Sequence, residues 1–341
     1  MNSRTAAPIV AAALLSAACA GRPIPPTGAD PRAFGGRPWK STLGRSDRLV
    51  GYALSTRDER WVGAEELLAA VAKADFVFLG ETHDDPDHHL LQADFLKAAL
   101  AGGRKPALAF EMLDASQAGP LEQALAQKPV TPDGIAEGTG WAKSGWPEFD
   151  FYRPIFEVGV EAGLPIVAAN LPRSAAREAV RKGISALPDD VRDLLGRAGA
   201  PTAAELKSWA AEMEESHCGE LDPSMLEGLV LAQRARDAQM ALRLASAGAE
   251  GRGAVLVTGN GHARADRGVP AWVERIRPGA SQVSIGLLEV DPDLRWPRQY
   301  AEEFGADRFP FDYVVFTPRT EREDPCEQLR ARKKKASAAQ R

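Results

Sequence analysis

An α/β fold is predicted for this chain of 341 residues, namely a mainly parallel sheet flanked by helices, with a helical insertion and an antiparallel edge. Three observations carry the prediction. Four short apolar runs, FVFLG, PALAFEM, LPIVAAN and GAVLVTG, have the length of strands covered on both faces, and each has glycine or a polar residue at or next to its end. Segments with apolar residues at helical spacing separate them. Between the third and fourth runs, about residues 174–249, helical patterns follow one another with no strand, which marks the insertion.

Taken in order, the chain starts with MNSR and the apolar stretch APIVAAALLSAA, then Cys19. This resembles a bacterial lipoprotein signal, with Ser16-Ala17-Ala18 as the lipobox. The resemblance implies cleavage of residues 1–18 and lipid on Cys19. Ala20, where an Asp would retain the protein in the inner membrane, points to the outer membrane, facing the periplasm. Residues 19–45 are rich in Pro and Gly without apolar period and read as a flexible tether. The domain is expected over 46–320, and 321–341, ending in RARKKKASAAQR, as a basic disordered tail.

Within the domain, Leu67, Leu68 and Val71 give residues 64–74 the period of a helix leading into the strand 76–79. Asp84 and Asp85 offer helix caps, Pro86 suits the first helical position, and Gly102-Gly103 ends the helix. A second strand, 106–112, carries Glu111 where an apolar residue is expected, and a helix near 117–127 follows. Residues 138–157 concentrate aromatics (Trp141, Trp146, Phe149, Phe151, Tyr152, Phe156) and suit either a ligand wall or a homodimer interface. The third strand closes on Asn170. Helices are expected at 174–183, 188–196 and 202–215, then a long one at 223–247 whose inner stripe includes Gln233 and Asp237. The fourth strand opens into GNGHARADRGVP and a helix from Pro270, and further strands at 283–290 and 313–316 are expected to supply the antiparallel edge.

A net charge of −5 and a pI near 5.7 give no basic face for nucleic acid. No internal window reaches the roughly 18 apolar residues of a membrane span. Once Cys19 is lipidated, Cys218 and Cys326 remain, as a disulfide or as two buried thiols.

Chemistry is expected where strands end. Glu81 and His83 lie two residues apart and, on an extended backbone, point the same way. Glu111, Asn170 and His262 also follow strands, and in an open parallel sheet ligands bind beyond the carboxyl ends, so one site is predicted. Three of five histidines (His83, His88, His89) fall in one heptad. A Glu/His set can hold a divalent metal that activates water, or work without metal as general base and orienting partner. Neither H-E-x-x-H nor paired cysteines occur, and the glycine-rich loop lacks the Lys and spacing of a phosphate loop.

GETHDDPDHH, FEM, NLPR, QRARDAQMA and GNGHARADRGVP, in this order, together resemble the ChaN family of haem-binding lipoproteins, grouped with Tiki proteases and erythromycin-esterase-like enzymes. The likeness spans about residues 50–318. It implies haem binding in iron uptake at the bacterial envelope and descent from hydrolases, with Glu81, His83, Glu111, Arg236, Asp237 and His262 at the superfamily's site. Adjacent Arg236 and Asp237 cannot both face one point, and Asp237 lies on the inner stripe. Haem asks for an axial ligand, an apolar wall and cations. Tyr152, with Arg153 beside it, is the first choice, and His217 the alternative. A haem carrier, a hydrolase using the same residues and an envelope protein with an idle site are the readings that remain.

Overall fold

A computed structural model describes residues 26–249, 251–324, 326, 327 and 329–331. The signal, Cys19 and residues 332–341 of the tail lie outside the described residues.

The described chain opens with a hairpin of β1 (Ala53–Ser55) and β2 (Arg60–Val62), followed by α1 (Ala64–Lys73), β3 (Phe76–Glu81) and α2 (Pro86–Ala99). Then come β4 (Ala107–Asp114), α3 (Ala118–Ala126), α4 (Pro132–Gly138), α5 (Phe149–Glu161) and β5 (Ile166–Asn170). The helices α6 (Arg173–Lys182), α7 (Asp189–Ala198), α8 (Ala203–Ser216) and α9 (Leu226–Ala247) intervene before β6 (Ala254–Gly259). The chain ends with α10 (Asn260–Ala263), α11 (Val269–Ile276), β7 (Gln282–Glu289), α12 (Pro297–Glu303) and β8 (Tyr313–Thr317).

The eight strands form one sheet in the order β2-β1-β8-β7-β3-β6-β4-β5. From β8 to β5 all neighbours are parallel. The antiparallel edge comes from β1 and β2, which pair antiparallel with β8 and with each other. Strands β7 and β8, expected at that edge, are parallel members of the sheet. The edge hairpin was missed because three-residue strands show no period to read.

Burial explains why β3 sits at the centre. Its side chains alternate between two covered faces: Phe76 and Phe78 pack in the layer of Met240, Leu244 and Trp272, whereas Val77 and Leu79 join Leu67, Phe95 and Phe156. Asp85 caps α2 by accepting from the amides of Asp87 and His88, with Pro86 behind it.

The ends of the domain differ from the expectation of tether and free tail. Residues 32–45 lie along α2: Arg37 pairs with Asp94 at 2.6 Å, and the amides of Lys40 and Ser41 donate to Asp87. Cys218 and Cys326 are joined in a disulfide. Most aromatics of 141–156 turn inward: Trp141, Tyr152 and Phe156 are buried, the Trp141 ring meeting the other two tilted or edge-on, with Phe149 against them.

Candidate functional site

Parallel register builds the site. Glu81, the last residue of β3, lies beside Gly259 of β6, and on the other side of β6 Phe110 of β4 pairs with Val257, so Glu111 comes level with Thr258. Connections leave β3 and β6 towards opposite sides of the sheet, and such a switch opens a crevice at the carboxyl ends.

On the β3 side, Glu81 is buried and takes two hydrogen bonds and an ion pair. His83 Nδ1 lies 2.8 Å from Oε1, the Tyr152 hydroxyl donates to the same oxygen at 2.8 Å, and His89 Nδ1 is 3.0 Å from Oε2. Burial would raise the carboxyl, but the charge of His89 and the bonds from both imidazoles outweigh it and hold Glu81 at about 2. Burial pushes the other way on His89, and Glu81 wins there too, so the ring is raised and charged, its Nε2 donating to the His83 carbonyl at 3.0 Å. His83 is likewise raised, by Glu81 and Glu111 against burial. Its side chain keeps 36% exposure, the most open of the cluster, and its ring lies over Gly259, where a Cβ would sit 3.0 Å from Cε1. A larger residue there would push the ring aside.

On the β6 side, His262 stands between two carboxylates: Nδ1 is 2.6 Å from Asp237 Oδ1 and Nε2 is 3.4 Å from Glu111 Oε1. Burial disfavours charge, but Glu111 and Asp237 raise the ring to about 10, so it is an imidazolium. Glu111 Oε2 accepts from Thr258 Oγ1 at 2.7 Å and from the Gly259 amide at 2.8 Å, and with His262 these hold its carboxyl well below the usual range despite burial. Burial dominates at Asp237, which rises to about 6. The amide of Gln233 lies 3.2 Å from His262 Nδ1. The floor therefore carries an accessible imidazole braced by Glu81, a fixed imidazolium, and Glu111 between them. That arrangement can accept a proton from a nucleophile and stabilise developing negative charge.

Two clefts share Trp146 and Arg173 in their walls, and one of them opens on this floor. One, of about 280 Å³, reaches Glu111 and is walled by Asp114, Lys143 and Asn170. The other, of about 430 Å³, lies among α6, α8 and α9 and is lined by Arg173, Arg177, Met213, His217, Gln233 and Arg236. Trp146 meets the His83 ring edge-on at 4.9 Å and carries the Arg173 guanidinium on its face at 5.5 Å. Among the described residues, none of the three arginines has a carboxylate partner, and no group of three His, Cys, Asp or Glu side chains could hold a metal ion. The divalent metal considered from sequence therefore has no support, because each carboxylate is already turned to an imidazole.

A family model described as haem-binding uptake, Tiki superfamily, ChaN, matches residues 67–273. The chain belongs to the ChaN family.

The match covers the whole floor, from Glu81 to His262, and both clefts. Among solved structures this ChaN-family chain is similar to ChaN of Campylobacter jejuni, from a structure of cofacial haem binding, with 22% identity over 77% of this chain and 95% of that one and a TM-score of 0.58. It is also similar to a mutant erythromycin esterase EreC in its open conformation, at 13% identity over 77% of this chain and 95% of that one, with a TM-score of 0.41. No curated protein matches.

Of the residues expected in the ChaN-like site, the structure gathers Glu81, His83, Glu111, Asp237 and His262. Arg236 and Asp237 do face different places, Arg236 the larger cleft and Asp237 the buried imidazolium. Asn170 is a correction. It borders the smaller cleft, but its amide donates to the Glu111 carbonyl and accepts from the Leu171 amide, so it clamps the strand ends rather than aiming inward. Tyr152 is another. Its phenol is fully buried on Glu81 and raised well above its ordinary value, by burial first and then by Glu81, whereas an iron ligand must be open and lose its proton. Arg153 points outward to Asp133 and Asp150. His217 is the member of that trio that lines a cleft.

Sequence reasoning missed the roles of His89, Gln92 and Thr258. The heptad of histidines was the signal, but it contains two opposite cases. His89 is the charged brace, held by Gln92 at 3.1 Å, whereas His88 is neutral, lowered to about 3 by burial, and bonds the Thr82 amide and the Thr317 hydroxyl.

Proposed function

We propose that this protein is a lipid-anchored haem carrier of the bacterial envelope, acting in haem and iron uptake, and that it takes haem in the cleft among α6, α8 and α9. One observation carries the placement. His217 Nδ1 donates to the Met213 carbonyl at 2.7 Å, which leaves Nε2 as the ring nitrogen that can turn to iron. The same cleft supplies three arginines without carboxylate partners for the propionates, Trp146 as a flat wall, and Met213 as a second soft donor. Its volume, about 430 Å³, lies within the usual range of ligand pockets. The lipobox before Cys19 supports the anchor and an outer-membrane, periplasm-facing location. Haem here is cargo, and what the chain supplies is an axial nitrogen, cations and shape.

Titration of the soluble domain with haemin tests the placement. A saturable Soret shift is expected, weakened at least ~10-fold in His217→Ala, or about 1.4 kcal/mol of binding, and little changed in Tyr152→Phe. Equal affinity in His217→Ala would move haem elsewhere on the molecule.

A second reading, hydrolysis of an ester or amide at the floor, is favoured by one feature that haem does not need: the exposed His83 ring braced by Glu81 and facing Glu111. His83 would take the proton of an attacking water, and the His262 imidazolium would stabilise the oxyanion. Turnover of an activated ester that drops ~10²-fold or more in His83→Ala supports it, that being the usual range for a general base. No turnover by the wild-type domain ends it.

A further inference from the structure

We propose that residues 319–324 and Cys326 belong to a strap whose Cys218–Cys326 disulfide fixes the last turn of α8 at the cleft, so that ligand binding at His217 follows the redox state of this pair. The strap's path is marked by a series of ties. Arg319 pairs with Leu43 in a β-bridge, the Thr320 hydroxyl is 2.7 Å from Ser41 Oγ, and the Thr320 amide donates to Glu289 at 2.9 Å. Arg322 then donates to both oxygens of Asp84 and both of Glu289. Asp84 adjoins His83, so the strap grips the turn that carries His83 before it reaches α8. Four residues on, Cys326 closes the disulfide with Cys218, the neighbour of His217. Beyond it Arg330 comes within 3.9 Å of Glu220.

Helix α8 is held unevenly, and that gives the disulfide its leverage. Its middle is docked on the loop after His262: Glu212 pairs with Arg264 at 3.0 Å and with Arg267, the Arg267 guanidinium covers the buried Trp209 ring at 4.2 Å, and Arg267 donates to Ser208. Its last turn supplies Met213 and His217 to the cleft and then breaks, because Cys218 and Gly219 take left-handed conformations (φ 61° and 69°). A non-glycine residue in that conformation is disfavoured by about 1 kcal/mol, and helix ends fray unless tied. The disulfide is the tie. Opening it requires a dithiol reductant: two electrons and two protons pass to the pair, the S–S bond breaks, two thiols form, and the reductant leaves as its own disulfide. The last turn of α8, and the His217 Nδ1 bond to Met213 that belongs to it, then lose their anchor.

The haem arm of this proposal rests on the cleft reading above, and the helix arm does not. Hydrogen exchange on the full chain, wild-type oxidised, wild-type treated with dithiothreitol, and Cys326→Ser, reads the helix. Amides 213–217 are expected to exchange about ten-fold faster without the disulfide, while those of 206–210, held by Arg267, stay within about two-fold. Protection of 213–217 in the reduced wild type and in Cys326→Ser as high as in the oxidised wild type overturns the strap, and the reduced wild type decides alone should the variant not fold. Haemin titration of the oxidised wild type and Cys326→Ser reads the ligand, with about ten-fold weaker binding expected in the variant. Should the wild type take no haemin, the cleft reading falls and exchange still decides the strap. Should haemin bind both forms equally, redox control of the ligand is excluded. Arg322→Gln, which leaves the disulfide in place, is expected to raise exchange at residues 83–85 while sparing 213–217, and the opposite pattern overturns the assigned path.

Discussion

The floor and the larger cleft of this ChaN-family site lie a few residues apart and are built on opposite principles. Floor residues are at the ends of β3, β4 and β6, are buried, and are paired with one another: Glu81 takes two hydrogen bonds on Oε1 and the His89 ring beside Oε2, and the Glu111 oxygens take a hydroxyl, an amide and an imidazolium. Cleft residues come mostly from the inserted helices, and among the described residues the cleft's three arginines have no carboxylate partner. A floor whose charges are paired holds them in one geometry, as proton transfer requires, whereas a wall of unpaired cations leaves its charge for a ligand. The contrast says where each part breaks when altered. Floor substitutions should cost folding stability, and cleft substitutions should cost binding alone.

The largest effect is expected at Glu81→Ala. It removes the partner of His83, His89 and Tyr152 together and leaves the charged His89 ring buried without its carboxylate, which typically costs ~3–5 kcal/mol. Urea unfolding of the domain checks this. A loss below about 1 kcal/mol would mean that the floor is not the rigid half of the pair.

The next effect is a pH dependence that belongs to the floor. His262 is raised from 6.5 to about 10 in the folded protein, so between those values the native state binds a proton that the unfolded chain has released. Its contribution is full below about pH 6.5 and is lost as pH rises towards 10, with a slope of up to ~1.4 kcal/mol per unit. Glu81 runs the other way: lowered from 4.5 to about 2, it contributes above its ordinary value and loses that contribution as pH falls through the folded one. Denaturation midpoints measured from pH 6 to 9.5 should therefore fall with rising pH, and the fall should shrink in Asp237→Asn. A flat profile would break the assignment of a charged His262.

The same contrast decides what could be read from sequence. Strand-end residues follow from apolar runs whose last positions are countable, so Glu81, His83, Glu111 and His262 were legible, and Asp237 followed from the stripe of α9. Direction was not legible where the backbone left regular structure. His88 and His89 are neighbours on α2 with opposite surroundings, and helical spacing alone does not say which of them meets β3. Tyr152 looked like a ligand because it lies among aromatics, but those aromatics pack on one another and turn its hydroxyl down onto Glu81. The tether and tail were misread for a related cause: Pro, Gly and charge describe chain without regular structure, and ties such as Arg37–Asp94 and Arg322–Glu289 are made by single side chains.

A smaller effect should separate the cleft from the floor. Arg236→Gln is expected to weaken haemin binding by ~3–10-fold, to reduce its salt dependence, and to leave unfolding within ~0.5 kcal/mol of the wild type, since it removes a cleft cation and no buried partner. A loss of stability matching the loss of affinity would mean that Arg236 belongs structurally to the floor.

The smallest effect is expected at Arg153, and it is informative for that reason. The residue follows Tyr152 on α5, and a haem site centred on Tyr152 would make it a propionate partner. Instead its guanidinium reaches Asp133 at 2.7 Å and Asp150 at 2.8 Å, both carboxylates being about three-quarters exposed. Exposed pairs of this kind typically contribute ~0.2–1 kcal/mol, and water takes over most of the contact when one is removed. Arg153→Ala should therefore move unfolding by no more than about 0.5 kcal/mol and leave haemin affinity unchanged, whereas Arg236→Gln moves affinity alone. If Arg153→Ala weakened haemin as much as Arg236→Gln does, the porphyrin would lie against α5, and the division between a closed floor and an open arginine wall would have to be redrawn around Tyr152.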